Sequence, residues 1–141
     1  MERLLEIKDL HVQYETDVGV IYAVNGLDIW VNKGETLGLV GETGAGKTTS
    51  ALSVLKLLPD RIGKITSGSI VFDGADIIHA SETEMLKIRG NKVSMIFQDP
   101  MTSLNPILTV GDQIEEVLKL HRNMTKEERR KQVDAIMEMV G

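Results

Sequence analysis

Gly41-Glu42-Thr43-Gly44-Ala45-Gly46-Lys47-Thr48 is the stretch on which the reading of this sequence turns. It meets every fixed position of the pattern G-x-x-x-x-G-K-[ST]. The apolar run Thr36-Leu37-Gly38-Leu39-Val40 leads into it and predicts a short buried strand. Ala51, Leu52, Val54, Leu55 and Leu58 follow at helical spacing, which predicts a helix over 48–58 that Pro59 stops. Strand, glycine loop and helix in that order are what a phosphate-wrapping loop needs on either side of it.

The residue types follow from the ligand. A polyphosphate has to be met by several donors from one side, where side chains would block its approach. Glycine at 44 and 46 removes that obstruction and lets successive N–H groups turn inward, while the helix that starts near Lys47 adds the positive end of its dipole. Lys47 is expected to extend back over the loop to the β- and γ-phosphates of ATP. Thr48 is placed to offer its hydroxyl to Mg²⁺, a cation that takes oxygen ligands and keeps several waters. Gly41, Thr43, Gly44, Ala45, Gly46 and Thr49 complete the expected set of nucleotide contacts.

Upstream, Leu5, Ile7, Leu10, Val12 and Tyr14 partly alternate with polar residues, as do positions 21–31, so two strands are expected with a turn at 17–19. Downstream, 63–68 reads as a loop, 69–72 as a strand and Asp73-Gly74 as a tight hairpin turn. Ser81 with Glu84 has the form of a capping box that opens a short helix, and Val93 to Phe97 reads as a second buried strand ending at Gln98. Thr109 is expected to cap a helix with Val110, Ile114, Val117 and Leu118 on one face. Thr125 with Glu128 caps another that aligns Val133, Ile136, Met137 and Val140. The order predicts an α/β layered domain, with a nucleotide-binding core over 1–100 and the start of a helical subdomain over 101–141.

Composition narrows the rest. The 141 residues are 42% hydrophobic and 26% charged, ordinary for a globular domain, and no stretch approaches the ~20 apolar residues of a membrane helix. The start lacks the features of a signal peptide, so a soluble cytoplasmic chain is expected. No cysteine is present, which excludes disulfides and thiolate metal sites. His11, His79 and His121 have no metal-like spacing. A net charge of −5 argues against a nucleic-acid partner, which calls for a basic face. Trp30 is expected in the core.

A P-loop fixes the ligand class and leaves the function open, and a soluble P-loop phosphotransferase or a non-catalytic nucleotide-binding module would share it. Phe97-Gln98-Asp99-Pro100-Met101-Thr102-Ser103-Leu104-Asn105-Pro106, followed by Leu108-Thr109-Val110-Gly111, resembles the glutamine-loop region of ABC-transporter ATPase subunits of the peptide/nickel importer group. Gly34-Glu35-Thr36-Leu37-Gly38 and Gly68-Ser69-Ile70 are similar to that family too. The resemblance implies a P-loop NTPase fold of the ABC type: antiparallel strands, a RecA-like core and the beginning of the helical subdomain.

It also implies a role. The intact protein would be an ATPase that energises import of di- or oligopeptides from the cytoplasmic face of the membrane. It would be peripheral to transmembrane permease subunits, paired with a second ATPase subunit and linked indirectly to an extracytoplasmic solute-binding protein. Gln98 would contact Mg²⁺ and the attacking water, and its loop would meet the permease. Tyr14, rather than Tyr22, would stack on adenine. The family's signature sequence, Walker B strand with its catalytic glutamate, and switch histidine have no counterpart here, so the 141-residue chain is expected to bind ATP without efficient hydrolysis. The last helix is then expected to leave Ile136, Met137 and Val140 exposed.

Overall fold

The structure is a computed structural model that describes residues 2–141. The chain divides into two compact units, Met1–Leu86 and Lys87–Gly141, a division that falls ahead of the boundary expected near Met101.

The first unit is built on a four-stranded antiparallel sheet. Strands β1 (Arg3–Thr16), β2 (Gly19–Asn32), β3 (Gly63–Phe72) and β4 (Ala75–Asp76) lie in the order β2-β1-β3-β4. The β1–β2 hairpin appears where alternation predicted it. Its partner β3 is longer than expected, because 63–68, read as a loop, pairs with β1 through Tyr14↔Gly63, Gln13↔Lys64, Val12↔Ile65 and His11↔Ser67. Glycine misled the reading. Gly68 (φ +99°) is there because β1 bulges at Asp9 (φ +44°), and a Cβ on Gly68 would stand 2.4 Å from the Asp9 carbonyl oxygen.

That bulge sets the core. Ile7 and Leu10 are three apart and would face opposite sides of a regular strand, yet both are fully buried together with Val12. The register shift between Ile7 and Leu10 supplies the extra residue that returns Leu10 to the inner face. Asp28 holds the bulge by accepting the Asp9 amide at 2.7 Å. Ile70, Ile77 and Met85 complete the sealed centre, with Phe72, Val24 and Leu55 around it. Asp73 (φ +46°) and Gly74 (φ +80°) make the predicted tight turn into β4.

Helix α1 (Lys47–Val54) stops earlier than the expected Leu58. Lys56 turns left-handed (φ +52°), its amide reaches the Ser53 carbonyl at 3.1 Å, and the Leu57 amide reaches that of Leu52 at 2.9 Å. This is a Schellman ending with lysine where glycine is usual. The Lys56 ammonium offsets the backbone cost by donating to the carbonyls of Ile78 and Ala80 at 3.1 and 2.8 Å. Trp30 corrects its expectation as well. It is 50% exposed on β2, with the Arg3 guanidinium 5.0 Å from its ring centroid, a cation–π contact at the surface.

Helix α2 (Glu82–Ile88) opens with the predicted box: Glu84 accepts the Ser81 amide at 2.7 Å and Ser81 Oγ accepts the Glu84 amide at 3.2 Å. In the second unit, a single turn of 3-10 helix at Pro100–Ser103 precedes α3 (Val110–His121) and α4 (Lys126–Val140). Thr109 and Thr125 cap them as expected, the second through a reciprocal box with Glu128. Val133 is buried between α3 and α4, where it approaches Gly111, and Arg129 links the pair through Glu115 at 3.1 Å.

Gln113 organises the loop before α3. Its Oε1 accepts the Asn105 amide at 2.8 Å, and its Nε2 reaches the carbonyls of Asn105, Leu108 and Thr109 at 3.0, 3.2 and 3.3 Å. Ile136, Met137 and Val140 are exposed, as expected.

Both expected buried strands of the core are absent. Among the described residues nothing pairs with 36–40, and Val40 is 91% exposed. Of 93–97 only Val93 forms a bridge, to Arg89, and Ile96 is 94% exposed. An apolar run becomes a strand only when neighbouring backbone takes up its N–H and C=O groups, and among the described residues no sheet neighbour lies beside these two.

Candidate functional site

The loop Gly41–Gly46 leads into α1 with little bonding of its own. Glu42 and Ala45 close a turn, with the Ala45 amide on the Glu42 carbonyl at 3.0 Å. Gly44 (φ +83°) faces open space. Gly46 (φ +82°) is constrained on both counts, since a Cβ there would lie 2.4 Å from the Ala23 carbonyl oxygen and 3.2 Å from Val24 Cγ2. The loop is thus set directly against β2. Glycine at 46 serves close approach as much as conformation.

Gly46 is also the N-cap of α1, and no side chain caps that end. The first intrahelical bond runs from Ser50 to the Gly46 carbonyl at 2.9 Å. By helix geometry the amides of Lys47, Thr48 and Thr49 therefore have no partner within the helix, and they carry the positive end of its dipole. Lys47 lies back across the loop as the sequence predicted, its ammonium donating to the carbonyls of Gly41 and Glu42 at 2.5 and 2.7 Å. A cation fixed over an uncapped helix start is an arrangement that receives an anion.

The hydroxyls of α1 divide sharply. Ser50 and Ser53 bond back to the carbonyls of Gly46 and Thr49 at 2.8 and 2.7 Å, as serines do within helices. Thr49 shares a 2.9 Å hydrogen bond with the Tyr14 hydroxyl. Thr48 is exposed and, among the described residues, its hydroxyl has no partner. An exposed hydroxyl oxygen beside a phosphate cradle fits Mg²⁺, which is held by few protein oxygens plus substrate phosphates.

The structure thus joins Tyr14, Lys47, Thr48, Thr49 and the loop glycines in one unit. Tyr22, the competing aromatic, stands 68% exposed on the edge strand β2. Gln98 belongs to the second unit, exposed at a bend before Pro100–Ser103, and among the described residues its side chain has no hydrogen-bond partner. It does not serve a local turn. The Tyr14–Thr49 bond escaped sequence reasoning because 35 positions separate the two residues and no local pattern marks the pair. A cavity of about 330 Å³ borders the loop on its β2 side, walled by Val24, Leu27, Leu39, Val40, Gly46 and Lys47.

A glycine loop packed on a strand, opening an uncapped helix under its own lysine, defines a P-loop nucleotide-binding fold. The profile of the ABC transporter family matches residues 24–141, and the chain belongs to that family.

The oligopeptide transport ATP-binding protein OppD of Bacillus subtilis (strain 168) is 45% identical over 139 residues, covering 99% of this chain and 39% of its own length. AppD of the same organism, also an oligopeptide transport ATP-binding protein, is 48% identical, with 100% of this chain and 43% of its own length covered. The chain therefore spans about two fifths of the length of these curated relatives. Among solved structures, the ATP-binding cassette MJ0796, a dimer in a post-hydrolysis state bound to ADP and Pi, superposes with a TM-score of 0.81 at 27% identity. That match covers 96% of this chain and 56% of the other. No helix among the described residues is long and apolar enough to cross a membrane.

Proposed function

We propose that the chain is the ATP-binding portion of a peptide-importer ATPase subunit, with Gly41 to Thr49 holding the phosphates. The observation that carries the reading is the uncapped start of α1 at Gly46 under the Lys47 ammonium. In this reading Lys47 exchanges its loop carbonyls for β- and γ-phosphate oxygens, and the amides of Thr43 to Thr49 enclose them. Mg²⁺, when bound, neutralises phosphate charge, and Thr48 is its protein ligand in this unit. Tyr14 offers its ring to adenine.

Gln98, in the second unit, takes the role of a metal contact and water-positioning group in the intact protein. Its unengaged side chain supports this. The surface that follows it meets transmembrane permease subunits on the cytoplasmic face. A second ATPase subunit and, indirectly, an extracytoplasmic solute-binding protein complete the assembly, with di- or oligopeptides as cargo. Support comes from the names of the relatives, which are oligopeptide transport ATP-binding proteins. The whole subunit hydrolyses ATP. The 141-residue chain alone binds it without efficient turnover, since no apolar run after Met101 ends in Asp-Glu.

Lys47→Ala tests the assignment. Among the described residues the ammonium bonds only loop carbonyls and belongs to no core, so circular dichroism should be unchanged while calorimetric ATP affinity falls at least ~30-fold, the equivalent of a ~2 kcal/mol charge-assisted interaction. Unaltered affinity would refute the site.

A further inference from the structure

The Tyr14–Thr49 hydrogen bond ties the end of β1 to the first turn of α1. Tyr14 lies near the end of β1, between Ile21 on β2 and Gly63 on β3. Gly63 gives the ring no flanking side chain, and it has to be glycine, because a Cβ there would stand 2.8 Å from Leu58 Cβ. No side chain therefore stands directly opposite the half-buried Tyr14 across the β1–β3 pair. What fixes it is its far end: the phenol oxygen sits 2.9 Å from Thr49 Oγ1, on a threonine only 8% exposed in the first turn of α1. An aromatic side chain turns about two torsions, and holding its para oxygen restrains both.

We propose that Thr49 is a positioning residue which, through its hydroxyl, holds the Tyr14 ring at the angle that receives the nucleotide base. The inference rests on the reading that Tyr14 stacks on adenine, and it adds how the ring is aimed. One helix then sets both halves of the ligand: its opening amides fix the phosphates and its third residue fixes the base. The ordering cost of the aromatic is met before the ligand arrives, which is the general benefit of preorganisation. Base preference is thereby written partly into the P-loop helix, in a residue whose side chain touches no base.

The test compares ATP with inorganic tripolyphosphate, which offers the same phosphate chain without the base, on the full chain by calorimetry. The wild type should favour ATP. Thr49→Val, of the same shape without the hydroxyl, should lower the ratio of ATP to tripolyphosphate affinity about fivefold. Tyr14→Phe, which keeps the ring, should lower it equally, and the double variant no further, as expected of two groups in one interaction. Thr49→Ser should restore the wild-type ratio. A second readout needs no ligand: with 3-fluorotyrosine, the Tyr14 fluorine resonance should move in Thr49→Val while that of the exposed Tyr22 stays in place.

An unchanged ratio in Thr49→Val, or equal weakening of both ligands, overturns the proposal. Should Thr49→Val fail to fold, Tyr14→Phe decides in the same way. If Tyr14→Ala weakens ATP while Thr49→Val and Tyr14→Phe do not, the tether fails and the stacking reading stands. If Tyr14→Ala leaves the ratio untouched, both fall together.

Discussion

Strand β1 and the run Thr36–Val40 are similar in composition and opposite in fate. Both carry Leu, Val and neighbouring polar residues, yet β1 is paired on both sides and buries Ile7, Leu10 and Val12, while Leu37, Leu39 and Val40 are left outside any sheet and exposed. Apolar side chains drive burial in either case, but a strand can take them inside only when other backbone accepts its hydrogen bonds. In β1 those acceptors come from β2 and β3 of the same unit. Beside 36–40 the described residues provide none, so the hydrophobic run lies beside the loop it feeds without entering a sheet.

This contrast is open to attack, most forcefully in the core. Leu10→Ala removes a fully buried side chain at the bulge and should cost about 2–5 kcal/mol in urea unfolding. Val40→Ala, at 91% exposure, should stay within ~0.5 kcal/mol. Similar costs for the two would show that the run packs after all.

A smaller effect is expected where the loop rests on the sheet. Gly46→Ala drives a Cβ against the Ala23 carbonyl and should cost roughly 2 kcal/mol, with loss of ATP binding. Gly44→Ala meets open space and should cost only the ~1 kcal/mol of its left-handed backbone. Thermal melts of the two variants would rank them, and the reverse order would mean that the loop is not seated on β2.

The smallest effect concerns α4, which meets its backbone needs locally. Glu128 accepts the Thr125 amide and its carboxyl is held below the ordinary value of 4.5 by that bond, and further by the Thr125 side chain. A lowered folded value means that the stabilisation is present above 4.5 and lost as pH falls from there through the folded value. The protection factor of the Thr125 amide, its exchange measured against the unstructured rate at the same pH, should fall over that acid range and stay level above it. Indifference to acid would remove the box from the helix's support.

What could be read in advance follows the same line. The caps at Ser81, Thr109 and Thr125 join residues three apart, and the glycine loop with its lysine lies in consecutive positions, so the caps and the course of that loop were legible. Whatever depended on distant backbone was not. The first half of β3 read as a loop because Gly68 answers a bulge in another strand, and α1 ended early on a left-handed lysine that two distant carbonyls support. Trp30 read as core, but its partner is a surface arginine in β1. Thr49 was expected among the nucleotide contacts, and its hydroxyl also shares a hydrogen bond with Tyr14 that no local pattern announces.

The bend at Asn105–Thr109 depends on one carboxamide that both gives and takes hydrogen bonds. A carboxylate has nearly the same outline and can only take. Loss of ammonia from Gln113 by slow hydrolysis would put an anionic oxygen in place of the nitrogen that donates to the carbonyls of Asn105, Leu108 and Thr109, and the loop would be pushed off. The fold of that corner is therefore exposed to chemical ageing at a single atom, the nitrogen that separates an amide from an acid.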